Sequence, residues 1–270
     1  MKRVVLIAGL AFLYLPLLIV AIYSFNASRL VTVWAGFSTR WYGELFADQQ
    51  ILRAAGLSVI VAALSATVAT GLGTAAGIAL ARFGRFKGRL ALTGLLAAPL
   101  TMPEIVTGVS LLLRFVAMEQ AFGFPARGIV TLVIAHATLG LPLVAVIVQA
   151  RAGAQDRSLE EAAADLGAKP ATVFWRIVLP LLMPAVASGW LLAFVLSFDD
   201  LVIASFVTGP QATTLPMVVF SAIRLGVSPK INALATLMLA ATAVALVLAA
   251  LLARRDSARQ AIAQSTVGVK

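Results

Sequence analysis

The sequence predicts an all-α integral membrane protein with six transmembrane helices and both termini cytoplasmic. Three observations predict it. Of the 270 residues, 61% are hydrophobic and 12% are charged, against ~45–50% and ~25% in a soluble domain. The apolar residues gather into six runs, each near the ~20 residues a helix needs to cross a bilayer. Those runs are continuous rather than alternating, which excludes a membrane barrel, and lipid admits only helices and closed barrels.

The first span is read at Val4–Phe25. Lys2 and Arg3 precede it as in a secretory signal, but its apolar length exceeds a signal core of ~7–15 residues and no small-x-small site follows. It is therefore a retained anchor. The segment after it carries Trp34, Trp41 and Tyr42, residues suited to lying at the outer interface; anchor and segment occupy 1–56. A membrane core over 57–253 follows, with spans at Leu57–Ala81, Leu90–Phe115, Gly128–Ala150, Met183–Val207 and Ile231–Ala253, and then a cytoplasmic tail at 254–270. Pro99, Pro103, Gly140 and Pro142 interrupt spans three and four. In a membrane such breaks persist where neighbouring helices or a wet path satisfy the freed carbonyls.

Orientation follows from the basic residues. A cytoplasmic N-terminus places Lys2 and Arg3, then Arg82, Arg85, Lys87 and Arg89, then Arg151, Arg157, Lys169 and Arg176, then Arg254, Arg255, Arg259 and Lys270 on the inside. This is the bias that cytoplasmic loops carry. It also accounts for the net charge of +10 without nucleic acid, since the cations sit in the breaks between apolar runs. Cysteine is absent, which removes disulfides, thiolate nucleophiles and Cys-rich metal sites. The one histidine, His136, lies in an apolar run without a partner, so no metal site and no catalytic set is expected.

Between spans four and five the apolar pattern yields to "EEAAADLGAKPATVFWRIVLPLLMP", residues 160–184. Ser158 and Glu161 fit a capping box, and Asp156 and Glu160 add negative charge at the same positive helix end. Gly167 suits a left-handed cap and Pro170 the start of a second helix. A first helix of about eight residues, some 12 Å, is too short to stand alone in water and must dock on something. Val173, Phe174, Ile177, Val178 and Leu181 form one apolar stripe on the second helix, which closes at Leu179-Pro180. A helical hairpin that merely connects two spans fits this pattern equally well.

The spacing decides between them. Glu161-Ala162-Ala163, three residues, Gly167, nine residues, then Ile177-x-Leu179-Pro180 resembles the EAA loop of ABC importer permeases at every position. The resemblance implies that this loop is a cytoplasmic coupling helix seated in a groove of an ATP-hydrolysing subunit. Its residue types suit that role: Glu161 meets a basic groove, Ala162 and Ala163 permit close approach, and Gly167 permits the turn. "YSFNAS" at 23–28, "TRWYGELF" at 39–46, "SGWLLAFVLSFDDLVIASFVTGP" at 188–210 and "GVSPKINALAT" at 226–236 are similar to the permeases of bacterial polyamine importers, closest to the putrescine-type second permease, from about Tyr14 to Ala253. The likeness implies an inner-membrane assembly with a second permease subunit, an ATPase dimer and a periplasmic polyamine-binding protein. This chain lacks G-x-x-x-x-G-K-[ST], so it binds no nucleotide cofactor itself; ATP and Mg belong to the partner ATPase.

Charge at membrane depth costs at least ~2.5–3.5 kcal/mol and marks functional candidates. Glu104 is read some 14 residues into span three, and Asp199 and Asp200 inside span five. Neighbours on a helix point about 100° apart, so at most one aspartate faces a pathway squarely and the other meets a neighbouring helix or the second permease. The expected role is a cation path, with Trp190, Phe194 and Phe198 offering ring faces to passing ammonium groups. Pairing of these acids with Arg114, or with arginines of the second permease, is the structural alternative. A membrane-embedded enzyme would need a catalytic set such as H-E-x-x-H or a Ser-His pair, and adjacent aspartates suit a shared-proton dyad poorly. An importer of anions would place arginines in the bundle. The function read from the sequence is therefore a polyamine importer's permease subunit, with an importer for another small solute as the alternative.

Overall fold

The computed structural model describes residues 2–30, 33–226 and 228–267, with side chains from Val4 to Leu251. The side chains of Lys2, Arg3, Arg254, Arg255, Arg259 and Lys270, which enter the orientation argument, lie outside the described residues. In chain order the helices are α1 (Lys2–Tyr23), α2 (Arg40–Phe46), α3 (Gln49–Arg82), α4 (Arg89–Thr101), α5 (Glu104–Phe122), α6 (Ile129–Gly153), α7 (Ser158–Asp165), α8 (Pro170–Val173), a π turn (Phe174–Val178), α9 (Leu179–Phe198), α10 (Val202–Val207), α11 (Leu215–Leu225) and α12 (Pro229–Val267). No strand occurs among the described residues; Asn26 and Phe37 form an isolated antiparallel bridge. Among the described residues six stretches are long and apolar enough to span a membrane: Val4–Tyr23, Gln49–Arg82, Glu104–Phe122, Ile129–Gly153, Pro170–Phe198 and Pro229–Leu251.

The third and fifth expected spans differ most in their boundaries, and the second begins at Gln49 rather than Leu57. The third, read at Leu90–Phe115, is two helices. Proline disfavours helical backbone at the residue before it, and Met102 is extended at φ −81°, ψ 142°; α5 then begins at Glu104. The fifth, read at Met183–Val207, starts at Pro170 and ends at Phe198. Leu179-Pro180 does not stop it. Pro180 offers no N–H to the preceding turn and its ring crowds the carbonyl four residues back. The π turn over Phe174–Val178 absorbs this and the helix continues. A π turn carries one extra residue, so the apolar face downstream moves on by one. Val173, Phe174, Ile177 and Val178 pack in the core as expected, but Leu182 is fully buried in the place expected of Leu181, which is exposed.

Contacts group the chain into two units. One comprises residues 1–58 and 212–243. There Asn26, fully buried, organises the loop after α1: its side chain accepts from the Ser28 and Ala35 amides and donates to the Val33 carbonyl, and its own carbonyl accepts from Trp41 Nε1 at 2.6 Å. Asp48 caps α3 through the Gln50 and Ile51 amides. The hydrogen bond from Lys230 at the start of α12 holds the Asp48 carboxylate below the usual range. Ser58 on α3 accepts from the Leu215 amide at the start of α11.

The second unit comprises 59–211 and 244–270, and α6 is its centre. A Cβ on Gly73 or Gly77 of α3 would lie 2.8 Å or 2.6 Å from the carbonyl of Leu141 or Ala145 on α6. On the other side Gly140 of α6 meets Ala193 of α9, and Gly189 of α9 meets Val144 of α6. Lipid tails are as apolar as leucine, so membrane helices associate by close packing, which small residues permit.

Candidate functional site

Two interrupted helices supply the acids of one site. Glu104 is the first residue of α5, where the positive helix end favours a carboxylate. One turn on, Gly108 lies under Phe206 of α10, where a Cβ would come within 2.6 Å of the ring. That close approach brings the Glu104 face of α5 against the break between α9 and α10. Asp199 is the C-cap of α9, and α10 begins at Val202. Asp199 and Asp200 therefore sit in a helix break rather than inside a helix, which corrects the 100° argument. The two nonetheless separate as expected: Asp199 is exposed, whereas the Asp200 side chain is 7% exposed.

Glu104, Asp199 and Asp200 border one cavity of about 310 Å³, completed by Val195, Leu196, Leu201 and Val202. No cation lines it. Three carboxylates over an apolar wall make a site for positive charge, since a charge pair strengthens as the surroundings become less polar than water.

Asp200 is held in place. Its carboxylate accepts from the Ala204 amide at 2.7 Å and the Ile203 amide at 3.4 Å, at the N-terminus of α10. Its Oδ2 also lies 3.2 Å from Nε2 of His136 on α6, off the line of a well-formed hydrogen bond. The other imidazole nitrogen, Nδ1, is 2.7 Å from Ser197 Oγ of α9. At its far end α10 is tied to α6 again, where Thr131 Oγ1 donates to the Val207 carbonyl at 2.8 Å. The expectation of a partnerless His136 is thus corrected: α9 brings Ser197 to one side of the ring and the break after it brings Asp200 to the other. Ser197, His136 and Asp200 together have the composition of a hydrolytic triad, but Ser197 and His136 are buried and neither borders the cavity.

Trp190, Phe194 and Phe198 form a stacked ladder at four-residue spacing on α9, with ring centroids 5.4 Å and 5.9 Å apart. Trp190 Nε1 donates to Thr67 Oγ1 of α3 at 3.1 Å, and Trp190 and Phe194 pack against the core. None of the three borders the acid cavity.

The Glu161 loop lies elsewhere in this unit. Ser158 is the first residue of α7 and makes no side-chain cap. Asp156 performs that role, accepting from the Ser158 amide at 3.0 Å, a bond that holds its carboxyl below the usual range. The capping box of Ser158 and Glu161 is corrected accordingly, with Asp156 in its place, and Glu160 pairs with Arg82 of α3 at 2.8 Å. Arg82 also donates to Gln155 at 2.9 Å, bracing the loop against the end of α3. Gly167 is left-handed at φ +81°, with its amide bonded to the Ala164 carbonyl and the Ala168 amide to the Ala163 carbonyl, the double bond of a Schellman cap. Glu161, Ala162 and Gly167 are exposed and Ala163 is half-buried. Leu159 and Leu166 are exposed beside them at 56% and 90%. Ile177 and Leu179 are half-buried and Pro180 is exposed.

Sequence reasoning missed His136 with Ser197, and the glycines of α3. Both left a signal. His136, Ser197 and Asp200 are isolated polar residues in apolar runs, which lipid tolerates only if they meet, and "GTAAG" at 73–77 is a small-residue helix interface.

Residues 73–260 match the model of a family described as binding-protein-dependent transport system inner membrane component. The chain is 57% identical over 244 residues to the putrescine transport system permease protein PotI of Escherichia coli strain K12, covering 90% of this chain and 87% of that protein. It is 43% identical to the spermidine/putrescine transport system permease protein PotC of the same strain, covering 90% of each. Among solved structures, a bacterial alginate ABC transporter in complex with its pentasaccharide-bound periplasmic protein superposes with TM-score 0.66 at 15% identity, over 95% of this chain and 91% of that one. The MetNI methionine ABC transporter superposes with TM-score 0.59 at 15% identity, over 77% and 95%. With a family match over most of its length, six spanning helices and relatives that are transport permeases, the chain belongs to the binding-protein-dependent transport system inner membrane components, multi-pass proteins of the inner membrane.

Proposed function

We propose that this chain is a permease subunit of an ATP-driven ABC importer that carries polyamines, putrescine first and spermidine second, across the bacterial inner membrane. The observation that carries the reading is the gathering of Glu104, Asp199 and Asp200 around one cavity with no cation on its wall. The names of the relatives at 57% and 43% identity support the same substrate class. The partners are a second permease, an ATPase dimer that holds ATP and Mg, and a periplasmic polyamine-binding protein. The loop around Glu161, Ala162, Ala163 and Gly167 is the coupling helix, on the cytoplasmic side with both termini. Its exposed leucines fit a docking face, because apolar surface left in water is stabilised by a partner.

In this mechanism a loaded binding protein docks outside, ATP closes the ATPase dimer, and the coupling helix drives the bundle outward-facing. The cation then passes the acids, and hydrolysis resets the bundle. Vesicles holding the full assembly test the reading: ATP-dependent accumulation of labelled putrescine is expected, spermidine second, and none of sulfate. Uptake of sulfate in place of the amines would overturn it. Topology is tested separately. Reporter fusions at Phe86 and Asp165 should read cytoplasmic, and fusions at Leu45 and Ala212 periplasmic; a cytoplasmic signal at Leu45 inverts the first span and breaks the orientation.

A further inference from the structure

We infer that His136 is a positioning residue of the acid cavity, which reserves the Asp200 carboxylate and leaves Glu104 and Asp199 as the two acids that meet a bound cation. The inference rests on the polyamine reading and gives it a basis for choosing a dicationic diamine over a tricationic triamine.

His136 is 2% exposed and does not border the cavity, so it acts on a ligand only through another group. Nδ1 is hydrogen-bonded to Ser197 Oγ at 2.7 Å, and Nε2 lies 3.2 Å from Asp200 Oδ2, within ion-pair distance but off the line of a hydrogen bond. If Ser197 donates to Nδ1, the neutral ring carries its proton on Nε2, facing Asp200; tautomers follow from such partners. The Oδ2 atom then accepts from the Ala204 amide at 2.7 Å and has the edge of the imidazole beside it. A carboxylate bonded to two amides of α10 and walled by the imidazole of α6 is not free to swing to a ligand, and part of its charge is already compensated. Asp199 and Glu104 are exposed, and their carboxylates make no hydrogen bond or ion pair among the described residues.

The cavity thus offers two free carboxylates and one held. In surroundings less polar than water, an unmatched ammonium or an unmatched carboxylate is costly. Two free acids match two ammonium groups. Releasing the third would favour a triamine.

The test uses the full assembly in proteoliposomes and reads the ratio of kcat/KM for spermidine to that for putrescine. His136→Leu removes the ring's donor and should raise the ratio at least threefold. His136→Gln should stay within twofold of wild type, because its amide can accept from Ser197 and donate to Asp200. Adding Asp200→Asn to His136→Leu should return the ratio to the wild-type range, since no carboxylate is then released. If wild type carries putrescine alone, His136→Leu must newly admit spermidine. Should His136→Leu fail to assemble, Ser197→Ala decides: it unseats the ring without removing it, and the ratio must rise. An assembled His136→Leu or Ser197→Ala with an unchanged ratio overturns the inference, as does an equal loss for both amines that Gln does not repair. A wild-type assembly that takes up neither amine defeats the polyamine reading instead, so the two failures are distinct.

Discussion

Replacing Gly167 by proline abolishes ATP-driven uptake and releases the ATPase, while the chain still inserts in the membrane. This is the largest effect expected of any substitution in the loop. Gly167 holds φ +81°; proline is locked near −65° and has no N–H. The bond to the Ala164 carbonyl goes, and with the turn undone the Ala168 bond to Ala163 goes too. The eight-residue α7 then loses its exit, and a helix so short does not persist without its ends fixed. Gly167→Ala keeps the amide and meets only the left-handed penalty, ~1–2 kcal/mol, so it should keep part of the activity. Glu161→Lys acts on the same loop by charge. It replaces an anion in the first turn of α7 by a cation at the positive helix end and opposes a basic docking groove. Uptake and co-purification of the ATPase measure both. Normal uptake with normal ATPase retention in either variant would remove the coupling role.

Asp199→Asn is expected to cut putrescine uptake at least tenfold, a loss of ~1.4 kcal/mol or more, in complexes that still assemble. Asparagine keeps the size and the hydrogen bonding and deletes only the charge. Asp199 is the open acid of the break, so its loss leaves a passing ammonium partly dehydrated and unpaired. Asp200→Asn acts differently, because that carboxylate faces His136 and the Ala204 amide; part of its effect should fall on assembly. Glu104→Gln should cost less than Asp199→Asn, since Glu104 enters the cavity from a separate helix and opposite the aspartate pair's break. Full uptake from assembled complexes of both aspartate variants would exclude a cation path at this cavity.

Much of this site was legible in the sequence, for a physical reason. An acid in an apolar run has few explanations in lipid, so Glu104, Asp199 and Asp200 stood out, and the structure brings all three to one cavity. The glycine turn was legible because φ above zero is a glycine position. What was not legible depended on backbone breaks. Pro103 looked like one more kink, yet it ends α4 and makes Glu104 a helix start. The π turn before Pro180 has no composition of its own, so the shift from Leu181 to Leu182 was hidden. The partners of His136 depend on how α9 and the break after Phe198 run along α6, which apolar periodicity does not report.

The continuous helix from Pro170 to Phe198 has a mechanical consequence. Its 29 residues make a rod of about 43 Å at 1.5 Å per residue, with the glycine turn beside one end and Asp199 at the other. A rod behaves as a lever. A tilt of about 5° around its middle displaces each end by roughly 2 Å, the scale of the helix shifts by which packed proteins switch. The π turn, at one fifth of its length, is where the lever has most give. Stiffness along the 20 residues beyond it, rather than any relay of side chains, would then set how faithfully a movement at the turn reaches the carboxylates.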